Sequence, residues 1–110
     1  MIPTEYEEQV AFRQWLDIKG YPYFRVPNET YTTSHNQRRK NMALGVKPGV
    51  PDMFVCVAGK MVAVELKRIK GGTTSEHQKQ WIATLNANNV PTAVCKGADA
   101  AIAFIQSMIK

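Results

Sequence analysis

Cysteine and histidine are scarce in this sequence, which has two of each among its 110 residues. Two isolated cysteines cannot build a disulfide framework, and neither residue type has the spacing of a zinc site. Cys56 and Cys95 are therefore expected to be small core residues in a reducing, cytoplasmic compartment. His35 is expected to lie in a loop, and His77 at the exposed start of a helix.

Long apolar runs are also missing. No stretch approaches the roughly 20 apolar residues that a membrane-spanning helix needs. The first nine residues carry several acids, which is unlike a secretory signal. A chain of this length can form one modest core but not two, so we expect a single domain over residues 1–110.

Acidic residues are absent between Thr30 and Pro51, although the whole chain has 9 acids beside 14 lysines and arginines. This segment is basic, and a second basic group follows Glu65. Basic runs are often only solvated surface, but two runs that flank the acids Asp52 and Glu65 favour the binding of phosphates. The residues of these runs predicted to contact nucleic acid are Arg38, Arg39, Lys40, Lys47, Arg68 and Lys70, and Arg25 and Asn28, just before the first run, are added to them.

Two short apolar runs, Met53 to Val57 and Met61 to Lys67, predict a β-hairpin. The three residues between them include the glycine that a tight turn needs. Antiparallel pairing about this loop places Asp52 opposite Leu66. A register shifted by one residue would still leave Asp52 close to Glu65.

The hairpin collects two acids and a lysine. Glu65 and Lys67 share one face of their strand, roughly 6.5 to 7 Å apart, and Asp52 lies on the neighbouring strand. Two carboxylates this close repel each other unless a cation lies between them, and hard oxygen ligands suit Mg²⁺ or Mn²⁺ better than zinc. The alternative is a surface hairpin with an ordinary cross-strand ion pair.

Glu8 lies on the apolar face of the first predicted helix. Helical periodicity of about 100° per residue places the following residues within about 80° of it: Ala11, Phe12, Trp15, Leu16 and Ile18. A carboxylate on a buried face suggests a function. Alternatively, Glu5, Glu7 and Glu8 only stabilise a helix that begins after Thr4.

Gln78 has two interpretations. With Ser75 it forms the S-x-x-Q pattern of a helix capping box. It also shares i, i+3, i+4, i+7 spacing with Trp81, Ile82 and Leu85, which places it on the inward face of the helix near a candidate site.

The element order predicted from these patterns is αβββαβα, which indicates an α/β fold with a mixed sheet and helices on both faces. The predicted helices are Thr4 to Lys19, Ser75 to Asn88 and Ala98 to Ile109. The predicted strands are Tyr21 to Val26, with Pro22 favouring an edge position, the two hairpin strands, and Pro91 to Cys95. The long loop 28–49 contains some helix around Arg38 to Leu44.

The sequence resembles the PD-(D/E)XK nuclease superfamily, which has a restriction-endonuclease-like core. The resemblance rests on G-V-P-D at residues 49–52 and E-L-K at residues 65–67. Within that superfamily it is similar to the VRR-NUC (virus-type replication-repair nuclease) family. The closer similarity rests on the first helix ending at Gly20, Val-Pro-Asn at 26–28, the basic loop leading to residues 45–52, and Ser75 to Trp81.

The resemblance implies hydrolysis of DNA phosphodiester bonds with Mg²⁺ or Mn²⁺ as cofactor. Asp52, Glu65 and the backbone carbonyl of Leu66 would bind the metal, and Lys67 would orient the attacking water. Glu8 would reach the metal through water, with Glu5 as the other candidate for this position. Gln78 would help to place the site.

Standalone members of the family imply a homodimeric resolvase of four-way (Holliday) junctions, encoded by a bacterium, phage or prophage. Tyr6 and Val10 are a candidate dimer contact. Two alternatives remain: a nuclease of the same fold that acts on flaps, nicks, linear DNA or RNA, and a nucleic-acid-binding module without catalysis.

Overall fold

A computed structural model describes residues 1–27 and 34–109. The elements in chain order are α1 (Glu5–Lys19), β1 (Tyr23–Arg25), α2 (His35–Ala43), β2 (Met53–Val57), β3 (Lys60–Lys67), α3 (Glu76–Ala87), β4 (Thr92–Lys96) and α4 (Ala98–Ser107). The seven elements of the predicted order are present, and α2 confirms the helix predicted around Arg38 to Leu44, with a start three residues earlier. His35 is therefore the first residue of a helix and not a loop residue, because Ser34 caps α2 by accepting a hydrogen bond from the Gln37 backbone.

The four strands form one mixed sheet in the order β1-β2-β3-β4. The β1–β2 and β2–β3 pairs are antiparallel, and β3 and β4 are parallel. β1 is an edge strand, as predicted. Among residues 1–27 and 34–109, no helix combines the length and the apolarity needed to cross a membrane.

Helices cover both faces of the sheet. One face packs on α1 and α4, and its core contains Phe12, Val64 and Ile105. Glu65 and Lys67 alternate with these core residues and point to the other face, where α3 begins. The mixed sheet with flanking helices confirms the predicted fold class.

The buried stripe of α1 is narrower than its periodicity predicts. Phe12 and Leu16 are fully buried and Glu8 is nearly so, whereas Ala11 is exposed and Ile18 is 81% exposed. The face that meets the sheet is centred nearer Phe12 than Glu8, which turns Ala11 and Ile18 about 100° to 120° away from it.

The β2–β3 hairpin has a tighter turn than predicted. Val57 pairs with Lys60, so the loop is two residues long. Its residues Ala58 and Gly59 have φ values of 52° and 78°, as the type I′ turn requires at both positions. Alanine seldom adopts this conformation, which is why the sequence suggested a longer loop. The corrected register brings Asp52 level with Glu65.

The two cysteines have different surroundings. Cys95 is buried as predicted, and burial raises the pKa of its thiol to about 11. Cys56 is exposed, so its assignment to the core was wrong. Side chains alternate along β2, and Cys56 points away from the core that Val55 and Val57 enter.

Candidate active site

The segment that leads into β2 is fixed against the start of α3. Gly49 has a φ of 83°, and a Cβ at this position would lie 2.6 Å from the backbone carbonyl carbon of His77. Only glycine permits both this conformation and this close approach. Contact between the two segments holds Asp52 at a defined distance from the helix that carries Gln78.

Asp52 is 9% exposed and lies between β3 and α1. Its Oδ2 accepts a hydrogen bond from the backbone N–H of Leu66 at 2.9 Å, and another from Nε2 of Gln9 at 3.3 Å. The carboxylate is therefore oriented by two elements far from it in sequence. Gln9 was not identified from the sequence, because a polar residue next to the N-terminal acids of a helix has no distinguishing pattern.

Glu65 is 3% exposed and forms a cluster with Lys67 and Gln78. Its Oε2 lies 3.3 Å from Nζ of Lys67 and accepts a hydrogen bond from Nε2 of Gln78 at 3.0 Å. Oε1 of Gln78 accepts from Nζ of Lys67 at 3.4 Å and from the backbone of Ser75 at 2.9 Å. The predicted capping box is present, and the same glutamine also contacts both charged residues.

The pKa of Glu65 is raised to about 7, mainly by burial and also by the negative charge of Asp52, whereas Lys67 opposes the shift. Oε1 of Glu65 is buried and has no hydrogen-bond partner among the residues that the structure describes. A buried carboxylate oxygen without a donor, next to a second carboxylate, is a fitting ligand for a cation.

The donor set suits a metal that retains several waters. Within residues 1–27 and 34–109, no three acidic, histidine or cysteine side chains come together as a complete metal cage. Mg²⁺ commonly uses only one or two carboxylates and keeps water in its other positions. Asp52 and Glu65 would hold it, with the carbonyl of Leu66 as the predicted third ligand.

Glu8 and Glu5 have different environments. Glu8 is 7% exposed, and its Oε1 accepts a hydrogen bond at 3.2 Å from the backbone of Ala98, the first residue of α4. Gly97 has no side chain to cap α4, so the Glu8 carboxylate accepts a hydrogen bond from a backbone N–H that would otherwise lack a partner at the start of this helix. Its Oε2 is buried without a hydrogen-bond partner in the described part of the chain.

Glu5 lies on the side of α1 that faces Asp52. It is exposed and shares a cleft with Asp52. Burial is the main cause of the raised pKa of Glu65, and the charge of Glu5 adds a smaller contribution. Helical phase favours Glu8 as the acid of α1 that serves the site, and Glu8 keeps a buried oxygen without a donor in the described residues. Glu5 shares the cleft with Asp52, so both acids stay candidates for this position.

The predicted DNA-binding residues lie in three exposed regions. Arg38, Arg39 and Lys40 are in α2, which has no buried residue, and Lys47 follows this helix. Arg68 and Lys70 directly follow β3, the strand that carries Glu65 and Lys67. Arg25 ends β1 and lines the cleft that contains Asp52. Asn28 lies outside the described residues.

Comparison with known proteins identifies a family. A family model described as VRR-NUC domain matches residues 3–99. A solved structure named "VRR_NUC domain protein" is similar to this chain, with a TM-score of 0.78 and 24% sequence identity over 97% of this chain and 88% of that chain. At this identity the similarity establishes the fold alone. No curated protein matches the chain significantly.

Proposed function

This chain belongs to the VRR-NUC domain family and carries a nuclease-type domain, and we propose that it is a metal-dependent endodeoxyribonuclease acting on branched DNA. One observation carries the proposal. Asp52 and Glu65 are buried side by side. Oε2 of Glu65 lies 3.3 Å from Nζ of Lys67, and its Oε1 is buried without a donor within the described residues. Such an arrangement is costly in a purely structural hairpin.

The mechanism assigns a task to each side chain. A bound Mg²⁺ or Mn²⁺ would lower the pKa of a water and stabilise charge on the phosphate. Lys67 holds the attacking water and stabilises the developing negative charge through its ammonium group. Gln78 keeps Lys67 and Glu65 together, and Gln9 fixes the orientation of Asp52.

The substrate proposed first is a four-way (Holliday) junction that is cut by a homodimer. A two-fold dimer presents two active sites to two symmetric strands. The exposed basic residues of α2 and of the segment after β3 supply phosphate contacts. A nuclease of the same fold that acts on flaps, nicks or linear DNA would use the same chemistry, so substrate preference must be measured.

A substrate panel tests the proposal. The full chain is incubated with labelled four-way junctions, flaps, nicked duplexes and linear duplexes, with Mg²⁺, Mn²⁺ or EDTA. Paired symmetric nicks in the junction that disappear in EDTA support a resolvase. Metal-dependent cleavage of flaps or linear DNA alone would refute the junction preference. Binding without cleavage under either metal would refute the enzyme and leave a binding module.

Gln78→Glu separates the capping function of this residue from its function in the site. Glutamate is also accepted at the N3 position of a capping box, so the start of α3 is preserved. The new carboxylate cannot donate to Oε2 of Glu65 and repels it. We expect junction cleavage to fall about tenfold, with an unchanged midpoint of thermal unfolding at pH 5.

Gln80→Glu provides the matched control, because Gln80 is an exposed glutamine of the same helix. This variant should cleave at the wild-type rate. Full activity of Gln78→Glu would mean that Gln78 only caps the helix.

A further inference from the structure

A cleft of about 530 Å³ separates α1 from the β1 edge of the sheet. This α1–β1 cleft is lined by Glu5, Tyr6, Gln9, Val10, Arg13, Tyr23, Arg25, Asp52 and Met53. Because Asp52 belongs to both, the cleft is continuous with the candidate active site. Only Asp52, Arg25 and the Glu5 alternative were assigned to the site or to DNA from the sequence.

One wall of the cleft is an ordered row of polar residues. Glu5, Gln9 and Arg13 are four residues apart, so they follow one another along the same side of α1 at intervals of about 6 Å. Gln9, in the middle, donates to Asp52. The interval is close to the distance between neighbouring phosphates of one DNA strand.

Charges of both signs line the α1–β1 cleft. Its acids, Glu5 and Asp52, lie at the end where the metal is proposed to bind, and Arg25 lies at the same end because it pairs with Met53, the residue after Asp52. Arg13 lies farther along, beside Asp17 and Tyr23. This arrangement suits a nucleic-acid strand. The reacting phosphate would lie at the metal, and a neighbouring phosphate would need a cation such as Arg13.

We infer that the α1–β1 cleft binds the DNA strand next to the bond that is cut, with Arg13 contacting a phosphate about one to two nucleotides from the reacting one. This inference rests on the proposed nuclease function. Tyr6, which the sequence made a candidate dimer contact, is 77% exposed and lines the cleft, and in this inference its ring stacks on a base of the same strand instead.

Arg13 is available for this contact. Its present partner is Asp17, at 3.0 Å, in an ion pair whose side chains are about half exposed, and such pairs contribute little to stability. The hydroxyl of Tyr23 also donates to Asp17, at 2.8 Å. Asp17 therefore keeps a donor when Arg13 turns to a phosphate.

Arg13→Gln tests the inference against Lys79→Gln. Lys79 forms a similar exposed pair with Glu76 on α3, 3.5 Å apart and outside the cleft. Binding of a fluorescein-labelled four-way junction is measured with EDTA, which prevents metal-dependent cleavage, over a range of salt concentrations. Arg13→Gln should weaken binding about fivefold near 0.1 M salt and reduce the slope of log K against log salt by about 0.7 to 0.9, while Lys79→Gln leaves both unchanged.

A second pair of variants addresses the base contact. Tyr6→Ala should weaken binding several-fold without changing the salt slope, because stacking releases no counterion. Ile18→Ala is its control, since Ile18 is a similarly exposed apolar residue of α1 outside the cleft. Equal effects of Tyr6→Ala and Ile18→Ala would count against the base contact.

Other outcomes overturn the inference. If Arg13→Gln and the wild type show the same salt slope of log K, the cleft does not bind phosphate specifically. The same follows if Arg13→Gln and Lys79→Gln lose equal affinity for the junction. A change of mass in light scattering for Arg13→Gln or Tyr6→Ala would make the cleft a subunit interface instead. If the wild type cuts junctions while Arg13→Gln binds normally, only the cleft is refuted. A wild type that neither binds nor cuts refutes the cleft and the nuclease together.

Discussion

Asp52→Asn is expected to lower the rate of metal-dependent DNA cleavage by about a thousandfold or more. The substitution removes one of the two carboxylates proposed to hold the cation, and the loss of a preorganised electrostatic contact of this kind costs on the order of 10²- to 10³-fold by itself. The loss of metal affinity adds to this. The rate is measured from single-turnover cleavage of the preferred substrate at saturating Mg²⁺.

The fold should tolerate Asp52→Asn. The carbonyl oxygen of the new amide can accept the hydrogen bond that the Leu66 backbone now donates to Asp52. Asp99→Asn is the matched control, because Asp99 is an exposed aspartate in the first turn of α4. Both variants should melt cooperatively. Cleavage by Asp52→Asn within tenfold of the wild-type rate would exclude Asp52 as a metal ligand.

The hairpin acids were accessible to sequence reasoning because strand geometry is local. Alternation along β3 alone places Glu65 and Lys67 on one face, and a short turn brings Asp52 back to them, whichever of two registers applies. The predicted β2–β3 register was wrong by one residue, but because either register brings Asp52 close to Glu65, the predicted cluster did not change. The error arose at Ala58, whose left-handed conformation no propensity indicates.

Contacts between distant segments could not be foreseen in the same way. Glu8 was correctly expected to be buried, but its partner, the backbone of Ala98, is 90 residues away. Gln9 and Asp52 are 43 residues apart, and their contact depends on how α1 crosses the sheet. Helical periodicity gives the direction of a side chain but not what it meets. The α1–β1 cleft is a product of that packing, so only the structure reveals it.

Glu65→Gln is expected to stabilise the metal-free protein above pH 7 by about 3 kcal/mol, which is the free energy that corresponds to the raised pKa of Glu65. The pKa of Glu65 is about 7 in the folded chain against 4.5 for an ordinary glutamate. Between these values the folded state binds a proton that the unfolded chain has lost, so the wild type loses stability as pH rises through this window. Glutamine carries no charge, and the variant does not lose this stability.

Neighbouring groups favour the same result. At pH 8 the wild-type cluster contains two negative charges and one positive charge, from Asp52, Glu65 and Lys67. The variant leaves Asp52 and Lys67 as a balanced pair, and its amide oxygen can still accept from Gln78. Thermal unfolding in EDTA should therefore show a midpoint on the order of 10 °C higher than that of the wild type at pH 8, and no difference at pH 4.

Divalent metal should reverse this order. Mg²⁺ or Mn²⁺ that binds the folded wild type stabilises it in proportion to the logarithm of metal concentration, whereas Glu65→Gln has lost a ligand and should respond little. Glu76→Gln, an exposed glutamate on α3, is the control and should follow the wild type throughout. A bound cation should restore the stability that the ionised Glu65 costs the metal-free protein. Equal changes in the unfolding midpoint of the wild type and Glu65→Gln on adding metal would therefore contradict a metal site here.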